Sequence, residues 1–510
     1  MEIADSSKED KMAHHRVEPL GDDYAEREIY SAFTTSMRTY LTYLLGLIML
    51  TSTLTATIYF PLMPILSRHF DVSTQAINLT VTVYAIFQAV SPTFLASLAD
   101  YFGRRPVLLG LVCVYSIACL GLTLNKDSYT ALIALRALQS IGGSATVPIA
   151  YGIVADMAPQ AERGKMLGPM LSTCNAISTL GPIIGGAVAF GTGAFQWTFF
   201  ALLIIALALL VVTGLTLPET SRNVVGNGSI PAHGVWKTWL SIPNSLGRDY
   251  WKDRNEEWEA EETSKQPWRP LSLLDSVRIL FYPDAAAVLL TISVSYCIYY
   301  TLQTAVPTIF DEVYGFNALQ VGCALLPVLA GLTIGGIVAG KLIDRNYAKT
   351  VKPESSDSNS SQGFPLEKAR FRNCWPYILV EVGLVVGFGW AVHYRVHPVV
   401  PLILEFFAVG VSTVMAHTAS ALLVDIFPDS SSTAYASGQI ARCGLAAASV
   451  AVLEPIVGLV GRGWYFTIFA LFVGTTSLLA VAVSQARGMR WRLARQDVGK
   501  QQSTGSDNDA

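Results

Sequence analysis

Charge is the scarcest commodity in this chain. Asp, Glu, Lys and Arg make up only 14% of its 510 residues, against 52% hydrophobic residues and a mean hydropathy of +0.42. Ordinary soluble domains carry about 25% charge, so a soluble globular protein is excluded and a multi-span membrane protein is left. The formal net charge of -3 averages polar tails and loops with nearly uncharged spans, and gives no reason to expect a nucleic-acid partner. Seven cysteines (Cys113, Cys119, Cys174, Cys297, Cys323, Cys374, Cys443) form no CxxC pair and no cluster at metal-ligand spacing. They read as small packing residues, and no metal site is expected. A GxxxxGK(S/T) phosphate loop is missing, as is any nucleophile with a base and an orienting group. Neither an enzyme, a cofactor nor a nucleotide is therefore expected, and energy should come from an ion gradient. The N-terminus lacks a basic segment followed by an apolar one, so the first span is expected to act as its own signal.

Long apolar runs dominate what is present. A window of about 19 residues predicts spans at 41–64, 76–98, 106–124, 130–153, 165–190 and 196–217. After a polar gap, a second six follow at 285–310, 318–342, 375–393, 399–424, 433–460 and 463–484. The chain thus divides into a tail (1–40), a six-helix domain (41–217), a linker (218–284), a second six-helix domain (285–484) and a tail (485–510). The tails are polar and expected to be poorly ordered, and the charged, tryptophan-rich linker is too polar to span and too long for a turn.

Lysine and arginine concentrate in alternate loops: Arg104 and Arg105, Arg163 and Lys165, the linker, then Lys341 through Arg372. Opposite loops hold only Arg68, Lys126, Arg395 and Arg462. Both termini and the linker are accordingly expected to be cytoplasmic, which puts the Asn227 and Asn359 sequons on the wrong side for glycosylation. Asn78 is a sequon too close to the second span for occupancy to be expected.

Between the second and third spans a short elbow carries Asp100, Gly103, Arg104 and Arg105. Charges at a membrane edge fix orientation whatever else they do. Gly340, Lys341, Leu342, Ile343, Asp344 and Arg345 form a degenerate counterpart after the eighth span, however, and that repetition suggests a pair of gates. In that role Asp100 caps or pairs with a helix end, while Arg104 and Arg105 bind carboxylates across the domain interface.

Several motifs together resemble the major facilitator superfamily, over nearly all of Tyr40 to Gln485. Leu98, Ala99, Asp100, Tyr101, Phe102, Gly103, Arg104 and Arg105 resemble its loop motif, with Ala96 in place of the usual first glycine. Arg136, Ala137, Leu138, Gln139, Ser140, Ile141, Gly142 and Gly143 resemble its fourth-span motif, with Ser140 in place of a glycine. Gly181, Pro182, Ile183, Ile184, Gly185 and Gly186 resemble the core of the motif associated with drug:proton antiporters. Taken alone, that motif could be helix packing only. Leu217, Pro218, Glu219, Thr220, Ser221 and Arg222, followed by Val225, Gly226, Asn227 and Gly228, resemble a signature of fungal twelve-span multidrug exporters, and Phe364 to Asn373 and Leu422 to Pro428 add to it. The nearest resemblance is to quinidine-resistance-type pumps and fungal organic-acid exporters. It implies an all-α membrane protein with the major facilitator fold: twelve transmembrane helices in two pseudo-symmetric six-helix domains. In that family the arginine corresponding to Arg136 is implicated in proton coupling.

Ionisable and aromatic residues inside the spans supply the candidate substrate and proton-coupling site. Arg136 lies several residues within the fourth span, where a charge is costly unless it faces a wet cavity or a partner; the alternative is a structural role on backbone carbonyls or span-one hydroxyls. Gln139 follows it one turn on, and Arg442 with Gln439 lies in the eleventh span, facing the cavity or snorkelling to the inner surface. Tyr296, Tyr299, Tyr300 and Gln303 share a helix face suited to aromatic cargo, or to packing. Tyr59, Tyr84 and Gln88 could extend that lining. Span one has no acid, so the proton carrier is open among Glu381, Glu405, His417, Asp425 and Glu454, with Glu405 near the outer edge and His417 equally suited to packing.

The combined expectation is a proton-coupled exporter of a drug, toxin, secondary metabolite or organic acid, working by alternating access in the plasma membrane or an internal one such as the vacuole. Its partners are a small molecule, protons and the lipid bilayer. The alternatives are a proton-symporting uptake carrier of the same fold and a transport-dead receptor or scaffold that uses the linker.

Overall fold

A computed structural model describes residues 31–159, 162–228, 230, 232, 234–239, 277–350, 366–372, 374–427 and 431–506, and regular structure among them is helical throughout. Ten helices of membrane-crossing length come first: α1 (Thr35–Phe70), α2 (Thr74–Phe102), α3 (Arg104–Leu124), α4 (Tyr129–Met157), α5 (Lys165–Thr192), α6 (Gln196–Thr216), α7 (Pro283–Tyr314), α8 (Ala318–Ile343), α9 (Cys374–His393) and α10 (Val399–Ile426). The eleventh apolar stretch, Ala436–Arg495, is 60 residues long, about three times what a bilayer needs. Gly461, with φ +80°, divides it into α11 (Ser431–Val460) and α12 (Arg462–Ser506).

Local chemistry sets the helix starts. Side-chain oxygens of Thr34, Ser73 and Ser128 accept backbone N–H bonds from Met37, Ala76 and Ala131. Asn317 and Gln320 form a reciprocal capping box at the start of α8. Apolar side chains such as Ile117, Leu124, Ile204 and Phe472 point outward, as a lipid-facing surface requires, while one large buried apolar cluster spans both halves and a second, around Phe371 and Leu422, lies within the C-terminal half.

Small residues seal one face between the halves, the one expected to be outer. A Cβ on Gly186 of α5 would collide with the Ala318 carbonyl of α8, and one on Gly322 of α8 would collide with the Pro182 carbonyl of α5. Arg68 at the end of α1 pairs with Asp311 near the end of α7, and Phe60 meets Tyr300 edge-on at 6.3 Å. On the inner halves of the same two helices, Gly168 and Gly340 have open space where a side chain would be.

The polar C-terminal stretch differs from expectation, because α12 continues helically to Ser506. Ion pairs hold it: Arg492 to Glu367 at 3.1 Å, both buried, and Arg495 to Asp284 at 3.0 Å, with the Arg495 guanidinium 4.0 Å from the Phe427 ring centre. Residues 240–276, most of the expected linker, lie outside the described residues, as do Phe364, Pro365, Asn373 and Pro428 of the resembling segments.

Candidate functional site

The elbow is a clasp within one half. Gly103 has φ +103°, and a Cβ there would lie 2.6 Å from Glu219 Oε2 and 2.8 Å from Trp236 Nε1, so only glycine fits the turn. Glu219, in the segment after α6, caps α3 from outside: its Oε1 accepts the Arg104 N–H at 2.9 Å and its Oε2 the Arg105 N–H at 3.2 Å. The buried Arg105 guanidinium donates to the carbonyls of Leu217, Gly214 and Val235 at 2.9, 2.7 and 2.7 Å. Trp236 Nε1 donates to the Phe102 carbonyl at 2.8 Å. Arg104 pairs with Asp100 one turn earlier and, at 3.1 Å, with Asp156 at the end of α4. These partners belong to the N-terminal half and its trailing segment, whereas partners across the interface were expected. The reason is proximity: the end of α4 and the segment after α6 flank the elbow. In the degenerate copy, Arg345 is exposed in the helical continuation beyond α8, which runs to Thr350; the Asp344 side chain lies outside the described set.

The antiporter-type motif kinks α5 at Leu180 and buries Gly181, Pro182, Gly185 and Gly186. Gly181 lies against Thr57, Gly185 so close to α1 that a Cβ would lie 2.5 Å from the Ile58 carbonyl oxygen, and Gly186 against α8. The motif therefore seats α5 on α1 and closes the outer seam in the same stretch.

Within the fourth span, Arg136 is 1% exposed, with its guanidinium carbon 4.0 Å from the Tyr59 ring centre and 4.3 Å from that of Tyr84. Its Nη1 donates to Gln139 Oε1 at 2.7 Å, and Gln139 Nε2 reaches Cys119 Sγ at 3.3 Å. No carboxylate pairs with Arg136 among the described residues, and its Nε has no acceptor. The rings are themselves held: Tyr59 hydroxyl to Thr80 at 2.5 Å and Tyr84 hydroxyl to the Ser52 carbonyl at 3.2 Å. Of the two structural roles considered for Arg136, neither backbone carbonyls nor span-one hydroxyls hold it; a span-one ring does.

The other half repeats this chemistry in reverse chain order. Arg442 donates to Gln439 Oε1, Gln439 Nε2 reaches Cys443 Sγ at 3.4 Å, and the Arg442 guanidinium carbon lies 5.3 Å from the Tyr296 ring centre. Tyr296, Tyr299 and Tyr300 form one cluster, with ring centres 5.6 Å (Tyr296 to Tyr299) and 5.7 Å (Tyr296 to Tyr300) apart. Gln303 is buried beside them with its Nε2 unpartnered. Tyr300 interacts electrostatically with both Tyr84 and Arg136, which joins the two sets across the halves. Gln88 is half-buried on α2, and His417 is exposed, its ring 3.3 Å from where a Gly336 Cβ would be.

Sequence reasoning missed two carboxylates that organise the elbow. Asp156 carried no signal beyond its place at the end of a span. Glu219 had been quoted only as part of a signature, and its capping of α3 depends on the return of α6 to the elbow.

Comparison with known proteins agrees with this architecture. The Major Facilitator Superfamily profile matches residues 45–450. The chain is 30% identical over 495 residues to Citrate exporter 1 of Aspergillus niger, covering 94% of this chain and 92% of that protein. It is 29% identical over 464 residues to the MFS antiporter QDR2 of Candida albicans, covering 90% of each. Among solved structures, a bacterial homologue of the human lysosomal transporter Spinster superposes with a TM-score of 0.61 at 14% identity, covering 91% of this chain and 99% of that one. A D-xylose-proton symporter gives a TM-score of 0.60 at 15% identity, covering 88% and 97%. Helical spans throughout the described residues and a profile match over 45–450 make this chain a member of the Major Facilitator Superfamily.

Proposed function

We propose that the chain is a proton-coupled exporter of a small organic molecule bearing an acidic group, working by alternating access in the plasma membrane with both termini in the cytoplasm. The observation that carries this reading is Arg136: a buried guanidinium within the fourth span, compensated only by two ring faces and a neutral amide. Such a cation is costly in hydrocarbon surroundings, and an anionic cargo offsets that cost. Arg442 repeats the arrangement opposite it, and the tyrosine cluster between them gives an organic body a surface. The elbow and the α5–α8 seam act as control elements rather than as binding surfaces. Relatives named as an exporter of citrate and as an antiporter support the outward direction and ion coupling.

Cells expressing the chain test the cargo class. Loaded with citrate, an aromatic carboxylate and a neutral aromatic amide, they should retain less of the acids than control cells do. Arg136→Gln should restore acid retention. Equal loss of acids and amide, or an Arg136→Gln chain that exports as well as the parent, would refute the acidic-cargo assignment.

A further inference from the structure

The five sequence-level candidates for the proton carrier separate cleanly in the fold. Asp425 is paired with Arg370 at 2.8 Å. Glu454 lines a small outer cavity with Arg462, and His417 is exposed. Glu381 on α9 is buried with one oxygen unpartnered, while its carboxyl meets the Ser412 hydroxyl. Glu405 on α10 is 0% exposed, and neither of its carboxyl oxygens has a hydrogen-bond partner.

Glu405, expected near the outer edge, is sealed within the C-terminal half. His417 and Asp425 share its helix, and the packed helices carry Cys297 and Tyr299 (α7), Lys341 (α8), Glu381 (α9), and Arg442 and Glu454 (α11). None of them forms a hydrogen bond to its carboxyl oxygens. An ionised carboxylate without a hydrogen bond or a counter-charge is not sustained in such a place, so the side chain is the neutral acid.

Its position also connects it to the moving parts. Glu405 lies six residues from the start of α10, about 9 Å inside the outer end. Next to it, Gly331 of α8 packs so closely on α10 that a Cβ there would lie 2.5 Å from the Phe406 carbonyl oxygen, and α8 is the helix whose first turns close on Gly186 of α5. Seven residues further, on the same face of α10, Ser412 donates to the Ser295 carbonyl at 2.6 Å, which leaves its oxygen free to accept from Glu381. Glu405, Ser412 and Glu381 thus run inward through one half, away from the Arg136 cluster.

We propose that Glu405 is the coupling-proton site of this exporter, a role that rests on the proton-coupled reading above. When α5 and α8 part, water reaches Glu405, and its carboxylate takes a proton from the outer side to become the neutral acid. Closure of the seam seals that acid, and the proton leaves by way of Glu381 only when water enters from the opposite side and solvates the carboxylate left behind.

Infrared titration of the purified full-length protein in lipid tests this without any cargo, so failure of the chain to move citrate would leave the result standing. The wild type should show protonated-carboxyl absorption at neutral pH that shifts in deuterium oxide, and Glu405→Gln should lose a component of it that Glu381→Gln keeps. Gly186→Leu and Arg68→Glu each disturb the outer seam; the variant used is one in which Ala318→Cys becomes reactive to an external thiol reagent. In that background the Glu405 band should titrate at a proton concentration at least tenfold higher. No band in the wild type, an unchanged band in Glu405→Gln, or unchanged titration in the opened background would overturn the assignment.

Discussion

Glu219→Ala removes the cap of α3 and the anchor of the segment after α6 together. The carboxylate accepts four backbone N–H bonds, from Arg104 (2.9 Å), Arg105 (3.2 Å), Thr220 (2.9 Å) and Ser221 (2.9 Å), and the residue is 3% exposed. Bonds to a charged acceptor contribute about 1.5–3 kcal/mol each, and a stranded buried donor costs about 1–3 kcal/mol. Because the bonds share one group, their losses do not add, and a total of about 3–5 kcal/mol is expected. Glu219→Gln separates geometry from charge. Its amide oxygen can replace Oε1 for three donors, but the amide nitrogen then faces the Arg105 N–H donor to donor, so a loss of about 1–2 kcal/mol is expected. Hydrogen–deuterium exchange of a peptide covering the start of α3 reads this directly. A loss of about 3 kcal/mol in local opening is about two orders of magnitude in exchange rate for Glu219→Ala, with Glu219→Gln in between. Equal protection in the parent and Glu219→Ala would refute the capping account.

Other consequences follow from single contacts. Arg105→Lys cannot reproduce the three-carbonyl fork, so the segment at Val235 should detach and become sensitive to limited proteolysis while the helices stay folded. Arg492→Ala leaves Glu367 buried without its cation and should lower stability by about 3–5 kcal/mol, read as an earlier thermal unfolding transition in detergent. Tyr84→Phe keeps the ring over Arg136 and should transport acid cargo nearly as the parent does. Tyr84→Ala removes a buried cation–π contact of about 2 kcal/mol and should raise the half-saturating cargo concentration by roughly tenfold or more.

The spans were legible in the sequence because hydrocarbon imposes one requirement on every crossing: enough apolar residues to reach across. Helix ends were less so. The first helix begins at Thr35 and runs to Phe70, past the 41–64 window, because its end turns stand in the polar interface where hydropathy no longer reports helicity. Arg136, Gln139, Gln439 and Arg442 were legible as costly polar residues in apolar runs, whereas the mirrored order that lets each guanidinium bond its own glutamine required the fold. Partners distant in sequence were invisible: Asp156 for Arg104, and Glu367 for Arg492, which keeps helical a stretch whose composition suggested a loose tail. Glu405 shows the converse. Distance from a span end placed it near headgroups, but packing against α8 removes it from water altogether.

Transport into inside-out vesicles under an imposed pH gradient tests the central claim most directly. With the chain's cytoplasmic face outward and an acidic lumen, labelled citrate or an aromatic carboxylate should accumulate in the lumen. Accumulation should vanish when the gradient is collapsed and in Arg136→Gln. Accumulation that ignores the gradient, or that the arginine substitution leaves intact, would contradict a proton-driven exporter that recognises an acidic group through Arg136.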